Sequence, residues 1–467
     1  MSKQNNIFRG LCLACLPLLY ACSDQSSSEE QLYGTEEQKF MVKVESVGET
    51  PKLLKNTNSS SITSITPVQS IDQVVLLIMD RADGRVVYKK TFSSWSDTNN
   101  KTSVPYVNGE KRGREAEIVL RGDERLKKGI TYVVYAVGYH TGTYNQYEAF
   151  KDVQVGDLYK RTEQAVLAEG EEPSEIFAGA QTLVNENGRL VADARDSEIA
   201  TEPAIRLRRQ VAGTFGYFKS IPVSYDGKRV ASLRMVASRR NSGLLFAGFR
   251  SQEDPNAFNQ ENVINGFGSR TDYDAALHGA SSPNAFTIYE IALKDWFPGE
   301  TLYPKDQNGD GFLDGNDTNW LIPQSVNEDQ IKLDRGSVYA SRYLIPVAMT
   351  TEDVAQGLPT FELQALDAEG NILKYWQVDV RALGELRAER TLVEVDPTAL
   401  GQVIVRTESS PESEMTYSIS RNSIYTLGEK NSEQSYGEDT PIILSQEQIL
   451  VVDINPEWKT LDAIIFN

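Results

Sequence analysis

Along most of the chain, β-branched and aromatic residues gather in short runs between clusters of Gly, Asn, Asp and Ser, and the periodicity of an amphipathic helix is scarce. That pattern predicts strands. The first strong unit, IDQVVLLIMDR from Ile71 to Arg81, passes through Ala82-Asp83-Gly84 into RVVYKKTF from Arg85 to Phe92. Asp-Gly between two such runs signals a hairpin, because Gly supplies the positive φ of a tight turn. Residues 74 to 79 are apolar without a break, which predicts a strand covered on both faces. Phe40 to Val47, Ala116 to Arg121 and Ile130 to Gly138 continue the pattern and complete a first sandwich.

Acidic and polar text at about 185 to 203 then separates two strand-rich blocks. In the second block, strands are expected at Arg209 to Phe218, Ala231 to Ala237, Phe286 to Leu293, Tyr343 to Ala348, Thr360 to Leu366, Leu373 to Val380 and Gln448 to Ile454, with a hairpin connection at Asp367 to Asn371. The expected fold is all-β, two antiparallel β-sandwich domains in tandem, the first over 39–203 and the second over 204–467. No internal repeat of solenoid or propeller period is visible.

The N-terminus reads as an export signal. Lys3 and Arg9 precede the apolar stretch Leu11 to Leu19, which is too short to span a bilayer permanently and right for a secretory h-region. Leu19-Tyr20-Ala21-Cys22 resembles the bacterial lipobox, so 1–21 is expected to be a lipoprotein signal peptide and the Cys22 thiol to accept diacylglycerol and palmitate. Residues 22–38 are then expected to form a polar, acidic, flexible tether. Cys12 and Cys15 leave with the signal, so nothing beyond Cys22 can form a disulfide, a thiolate metal site or a Cys nucleophile.

Charge removes further classes. With 47 Lys and Arg against 66 Asp and Glu, the formal charge is −19, and no dense cationic stripe offers a counterion-displacing surface to nucleic acid. The two histidines, His140 and His278, read as surface or packing residues. There is no Gly-x-Ser-x-Gly elbow, phosphate-binding P-loop or dinucleotide fingerprint, and the chain reads as a non-enzyme. An extracellular hydrolase would need two carboxylates facing each other across a cleft.

One metal motif stands out. Asp306, Asn308, Asp310, Asp314 and Asp317 put oxygen side chains at loop positions 1, 3, 5, 9 and 12 of the EF-hand register, with Gly311 at 6 and the Phe312 carbonyl at 7. Calcium takes hard oxygen ligands in such numbers, and Pro298, Pro304 and Pro323 leave no flanking helices, so the expectation is a solitary structural calcium loop. The alternative is an Asx-rich turn without metal. Nearby Trp296 and Trp320 could stack on a sugar if exposed, which would make a surface glycan-binding lipoprotein; more often such rings plug a core.

Four stretches carry a family resemblance: 71 to 92, RLRRQVAGTFGYFKSIPVSYDGKRVASLRMVAS from 206 to 238, the Asp-rich loop with its flanking strands from 286 to 347, and RNSIYTLG at 421 to 428 with VVDINPEW at 451 to 458. Together with the lipobox and the Ser23-Asp24 sequence after it, they resemble the fimbrillin superfamily of Bacteroidetes, which builds lipoprotein-derived type V pili. The resemblance implies two transthyretin-like sandwiches, a surface-exposed location on the outer membrane and in a fimbrium, and polymerisation with other fimbrial subunits by donor-strand exchange, in service of adhesion or pilus biogenesis. Physically, an incomplete sandwich leaves a hydrophobic groove with unpaired edges that a neighbour's strand fills. The length and the Asp-rich insertion are most similar to an accessory tip subunit. One departure favours a lipid-retaining anchor instead: the resemblance implies maturation by an Arg-specific protease that cuts after an Arg beyond the first strand, and residues 23–80 contain none. Another protease would have to cut within Gly48 to Thr66. Whether Gln448 to Ile454 is donated or kept is left open by the sequence.

Overall fold

A computed structural model describes residues 30–45, 71–95, 103–108, 111–142, 152–158, 164–166, 173–192, 204–245, 263–271, 286–326, 333–348, 361–379, 389–395, 403–408, 419–429, 442–443 and 450–455. The expected signal peptide, Cys22, His278 and the expected maturation region lie outside them. Among the described residues no helix is long and apolar enough to cross a membrane.

The fold is all-β. The first half supplies β1 (Gln38–Glu45), β2 (Gln73–Asp80), β3 (Val86–Ser93), β4 (Val104–Asn108) and β5 (Lys111–Leu120). It continues with β6 (Thr131–Tyr139), β7 (Gln164–Val166), β8 (Ile176–Glu186), β9 (Arg189–Ala192) and β10 (Ala204–Arg209). Hydrogen bonding runs β3-β2-β6-β8-β10-β1-β5-β4, with β9 beside β8. This ribbon folds over on itself. Phe40, Val42 and Val44 of β1 and Ala116, Ile118 and Leu120 of β5 pack against Val74, Leu76 and Ile78 of β2 and Val134 of β6 in one core. The period-2 alternation of a strand explains β1, whose Phe40, Val42 and Val44 are buried while Met41 and Lys43 between them are half-buried.

The unbroken apolar run in β2 has the cause its pattern predicts. Val74, Leu76 and Ile78 face the sandwich core, and Val75, Leu77 and Met79 face a second apolar cluster that includes Val211, Leu244 and Ile345. The hairpin after β2 closes as expected, with Gly84 N donating to the Asp80 carbonyl at 2.9 Å.

The second half begins with β11 (Ala212–Lys219), β12 (Ile221–Pro222), β13 (Ser224–Tyr225), β14 (Lys228–Arg229), β15 (Ser232–Ala237), β16 (Arg239–Leu245) and β17 (Val263–Ile264). Next come β18 (Gly266–Thr271), β19 (Thr287–Ala292), β20 (Phe312–Leu313), β21 (Ser337–Leu344), β22 (Phe361–Leu366) and β23 (Ile372–Asp379). The last strands are β24 (Glu389–Val395), β25 (Val403–Glu408), β26 (Ile424–Glu429), β27 (Ile442–Ile443) and β28 (Leu450–Asn455). The large sheet runs β19-β15-β22-β23-β28-β26-β11-β21, and its core joins Leu233 and Met235 of β15 and Leu363 of β22 to Phe218 of β11 and Val338 of β21.

The tether expected over 22–38 ends before Gln38, which is fully buried at the start of β1 and hydrogen-bonded to Leu126. Two further local departures from the sequence reading have clear causes. The strand expected over Tyr343 to Ala348 lies earlier, at β21, because its ladder with β11 ends at Leu344 and Pro346 has no N–H to extend it. Val347 makes only an isolated bridge to Ile419. Further upstream, β10 hydrogen-bonds into the first sheet, parallel to β1 and antiparallel to β8, so the chain passes between the two large sheets at Gln210–Val211.

Candidate functional site

Two features hold the residues singled out in the sequence: the terminal strands and the Asp-rich loop. β1 is an interior strand. It pairs antiparallel with β5 along its whole length, from Gln38 opposite Leu120 to Glu45 opposite Gly113, and parallel with β10, Val42 opposite Ile205 and Val44 opposite Leu207. Its side chains are therefore the plug between Ile118 and Leu120 on one side and Ile205 and Leu207 on the other, all within one core. Polar pins fix its register: Gln38, fully buried, accepts from Leu126 N at 2.6 Å and donates to the Leu126 carbonyl at 2.9 Å, and Lys43 pairs with Glu115 at 2.9 Å.

The last strand repeats the arrangement. β28 runs parallel to β23 and antiparallel to β26, interior to its own sheet. Each large sheet thus holds one terminal strand between one parallel and one antiparallel neighbour. A strand reached by a long connection can take such a slot, whereas a tight hairpin supplies only antiparallel partners.

The Asp-rich loop wraps around the carboxylate at its end. Asp317 is fully buried; its Oδ1 accepts from Gln307 N at 2.6 Å and Asn308 N at 3.3 Å, and its Oδ2 from Asp314 N at 3.0 Å. Asp306 accepts from Gly309 N at 2.6 Å and Gly311 N at 2.8 Å. Asn308 Oδ1 accepts from Asp310 N, Asp310 Oδ1 from Phe312 N and Asp314 Oδ1 from Asn316 N, at 2.9, 2.9 and 2.7 Å. These are Asx turns in series, each side chain satisfying an amide the tight loop leaves unpaired.

The loop is seated on the second core. Leu313 is buried as its loop position requires, β20 pairs with β12, and the Phe312 ring stays exposed. Arg335 donates from Nε to the Gly315 carbonyl at 2.9 Å and from Nη2 to the Asp317 carbonyl at 3.1 Å. Gly336, at φ +82°, allows this approach: a Cβ there would lie 2.0 Å from Gly315 N.

Among the described residues, no group of three or more His, Cys, Asp or Glu side chains is arranged to hold a metal ion. The donor types suit calcium, but as placed the oxygens of Asp306, Asn308, Asp310 and Asp314 serve backbone amides, and those of Asp317 close the loop.

The two tryptophans do not form a sugar platform. Trp296 is 3% exposed within the second core, so it offers no ring face to solvent. Trp320 is half-buried against the same core and donates its indole N–H to the Ser337 carbonyl at 2.8 Å. His140, at the end of β6, accepts from Gly142 N through Nδ1 at 2.9 Å.

No family profile matches the chain, and no curated protein matches it. Among solved structures it is similar to a candidate cell adhesion protein from Parabacteroides distasonis, with 10% identity, 91% of this chain and 98% of that one covered, and a TM-score of 0.39. It is also similar to the tip fimbrial protein Mfa3 from Porphyromonas gingivalis with C-terminal truncation, at 10% identity, 90% and 99% coverage and a TM-score of 0.32. For the fimbrial anchor protein Mfa2 from the same organism the values are 10%, 81%, 100% and 0.29. Likeness at this level assigns neither fold nor function.

Proposed function

We propose that this chain is a structural, non-catalytic subunit of a cell-surface fimbrium, an accessory subunit at the tip, joined to its neighbours by strand complementation. The observation that carries the reading is the placement of β1. An interior strand whose removal would open an apolar groove between β5 and β10 is what strand exchange requires, and the 46–70 segment gives it a long connection to β2. The interior position of β28 supports a terminal subunit, since this strand is kept in its own sheet. In this reading Cys22 carries the lipid that holds the precursor at the outer membrane, and cleavage within Gly48 to Thr66 frees the β1 groove for the next subunit.

A second reading rests on the absence of Arg from residues 23–80. An uncut chain would keep β1 in place and its lipid attached, and would serve as the fimbrial anchor. The N-terminus of the protein in sheared filaments and in outer membranes, determined by mass spectrometry, separates the two. A lipid-free form beginning within 48 to 66 in filaments supports the tip. Lipidated Cys22 found only in membranes that co-purify with filaments supports the anchor, and membranes that never carry filaments reject both.

The loop from Asp306 to Asp317 is proposed to gain a structural calcium ion through Asp306, Asn308, Asp310, the Phe312 carbonyl and Asp314. Asp317 is buried against its own amides and serves as the clamp of the loop rather than as a ligand.

A further inference from the structure

The passage between the two large sheets has none of the properties of a hinge. Flexible linkers are exposed, polar and poor in contacts. In this chain Arg209 is 2% exposed, and Gln210, Val211 and Ala212 are fully buried. Three ties of different kinds cross at this point.

The first is apolar. Leu77 of β2 and Tyr135 and Val137 of β6, on the face of the first sandwich turned away from its own core, share a cluster with Val211, Leu244 and Ile345 from the second half. The second is a polar node on Gln210. Its backbone N donates to the Ile176 carbonyl at 2.8 Å, and its Nε2 donates to the carbonyls of Ala178 and Arg208 at 3.3 and 2.8 Å, all in the first sandwich. Its Oε1 accepts from Asn265 Nδ2 and from Arg421 Nη1, both at 3.1 Å and both in the second half. One side-chain amide therefore donates to one sandwich and accepts from the other. The third tie is a strand pair in a small sheet, β18-β16-β7, outside both large ones. β7, from the first half, pairs antiparallel with β16, placing Ala165 opposite Leu244, a member of the apolar cluster.

We propose that the two sandwiches are one cooperative folding unit with Gln210 as its keystone, and not two domains free to reorient. Separating them would expose the apolar cluster, strip β7 from β16 and leave the Gln210 amide and the groups around it buried without partners or newly exposed together. Partial opening at the seam is therefore as unfavourable as opening a core.

Native-state hydrogen exchange on the full chain in a urea series, read by mass spectrometry, tests this without reference to function. Peptides from β2 and β6 report on the first sandwich, and peptides from β15 and β22 on the second. The expected result is a single opening shared by both sets, with one free energy and one urea dependence. If either set opens at least tenfold more often than the other, with a smaller urea dependence, the proposal is overturned. Gln210→Ala is expected to separate the two sets by tenfold or more while each keeps its own protection. If the sets stay merged in that variant, the role given to Gln210 is wrong. Should Gln210→Ala fail to fold, the wild-type measurement decides the proposal alone.

Discussion

Arg209 and Glu175 form a buried ion pair where the first sandwich ends: Nε and Nη2 of the arginine each lie 2.7 Å from Oε1 of the glutamate, with the two side chains 2% and 0% exposed. The guanidinium also lies over the Phe177 ring, 4.9 Å from its centroid. Such a pair adds little net stability over an apolar pair of the same volume, but removing one partner strands a charge in the interior. Glu175→Gln is expected to lower the unfolding free energy by about 3–5 kcal/mol in urea titrations. The double variant Glu175→Leu/Arg209→Met should recover most of that loss, and failure to recover it would mean that the pair does more than neutralise itself.

Gly216 makes room for a tyrosine. A Cβ at this position would lie 2.2 Å from the Tyr289 hydroxyl and 2.5 Å from the Phe218 ring, inside the second core. The Tyr289 hydroxyl is buried and has no hydrogen-bond partner among the described residues. Gly216→Ala is therefore expected to cost about 1–3 kcal/mol, the range for overpacking. Tyr289→Phe should be neutral or stabilising, and combining the two should return part of the loss. A thermal-denaturation cycle on the four proteins reads the coupling directly.

The Asp-rich loop separates clamp from ligand. Asp317→Ala removes the acceptor for three backbone amides and is expected to cost about 2–4 kcal/mol with or without calcium, since hydrogen bonds to a buried charge are among the stronger ones. Asp310 is exposed, and Asp310→Ala should cost about 0.5–1 kcal/mol of metal-free stability through the Phe312 amide it leaves to solvent, less than Asp317→Ala, while abolishing any rise in melting temperature on adding calcium. If calcium raises the melting temperature of the wild type and of Asp310→Ala equally, the ion binds elsewhere.

Alkaline pH should unfold the chain through its phenols. Burial, then the nearby Glu124 charge, pushes the Tyr88 hydroxyl up to about 12, and burial above all raises Tyr132, Tyr289 and Tyr425 as well. A group whose proton is held more tightly in the folded state contributes stability that is complete below its unfolded value of 10.0 and is lost as pH rises through the folded value. The melting temperature is thus expected to fall above pH ~10, with these phenols ionising only as the fold opens. Phenolate absorbance followed together with circular dichroism checks this. Full ionisation of the tyrosines in a chain that keeps its fold would refute it.

Much of the fold was legible because strands covered on one or both faces write their burial into the side-chain period. β1, β2, β3, β6, β15, β22, β23 and β28 all fall on runs whose pattern predicts them. β8 does not stand out, since its buried stretch Ile176 to Ala180 is rich in Ala and Gly, and Gly179 lies where a Cβ would meet the Arg206 carbonyl at 2.0 Å. A strand selected for close approach carries few β-branched residues to announce it. β10 was hidden for another reason: its alternating Arg and apolar residues read as the start of the second block, and only long-range pairing with β1 and β8 puts it in the first. The Asp-rich loop was visible as a motif, but its hydrogen bonding was not, because one oxygen-rich spacing suits both an ion and a row of Asx turns. Trp296 and Trp320 show the same limit, as sequence gives the ring and not the face it presents.

The exchangeability of β1 is the claim on which the functional account turns. A protease site placed within Gly48 to Thr66 would cut the purified chain between β1 and β2, and a labelled peptide carrying residues 38–45 would then be added in excess under mild urea. The account predicts that the cut chain stays folded, takes up the label in place of its own β1 and protects the peptide's amides in the register that sets Phe40 against Ile118 and Val42 against Ile205. A cut chain that remains folded and never admits the label, or one that admits it without that register, would contradict it.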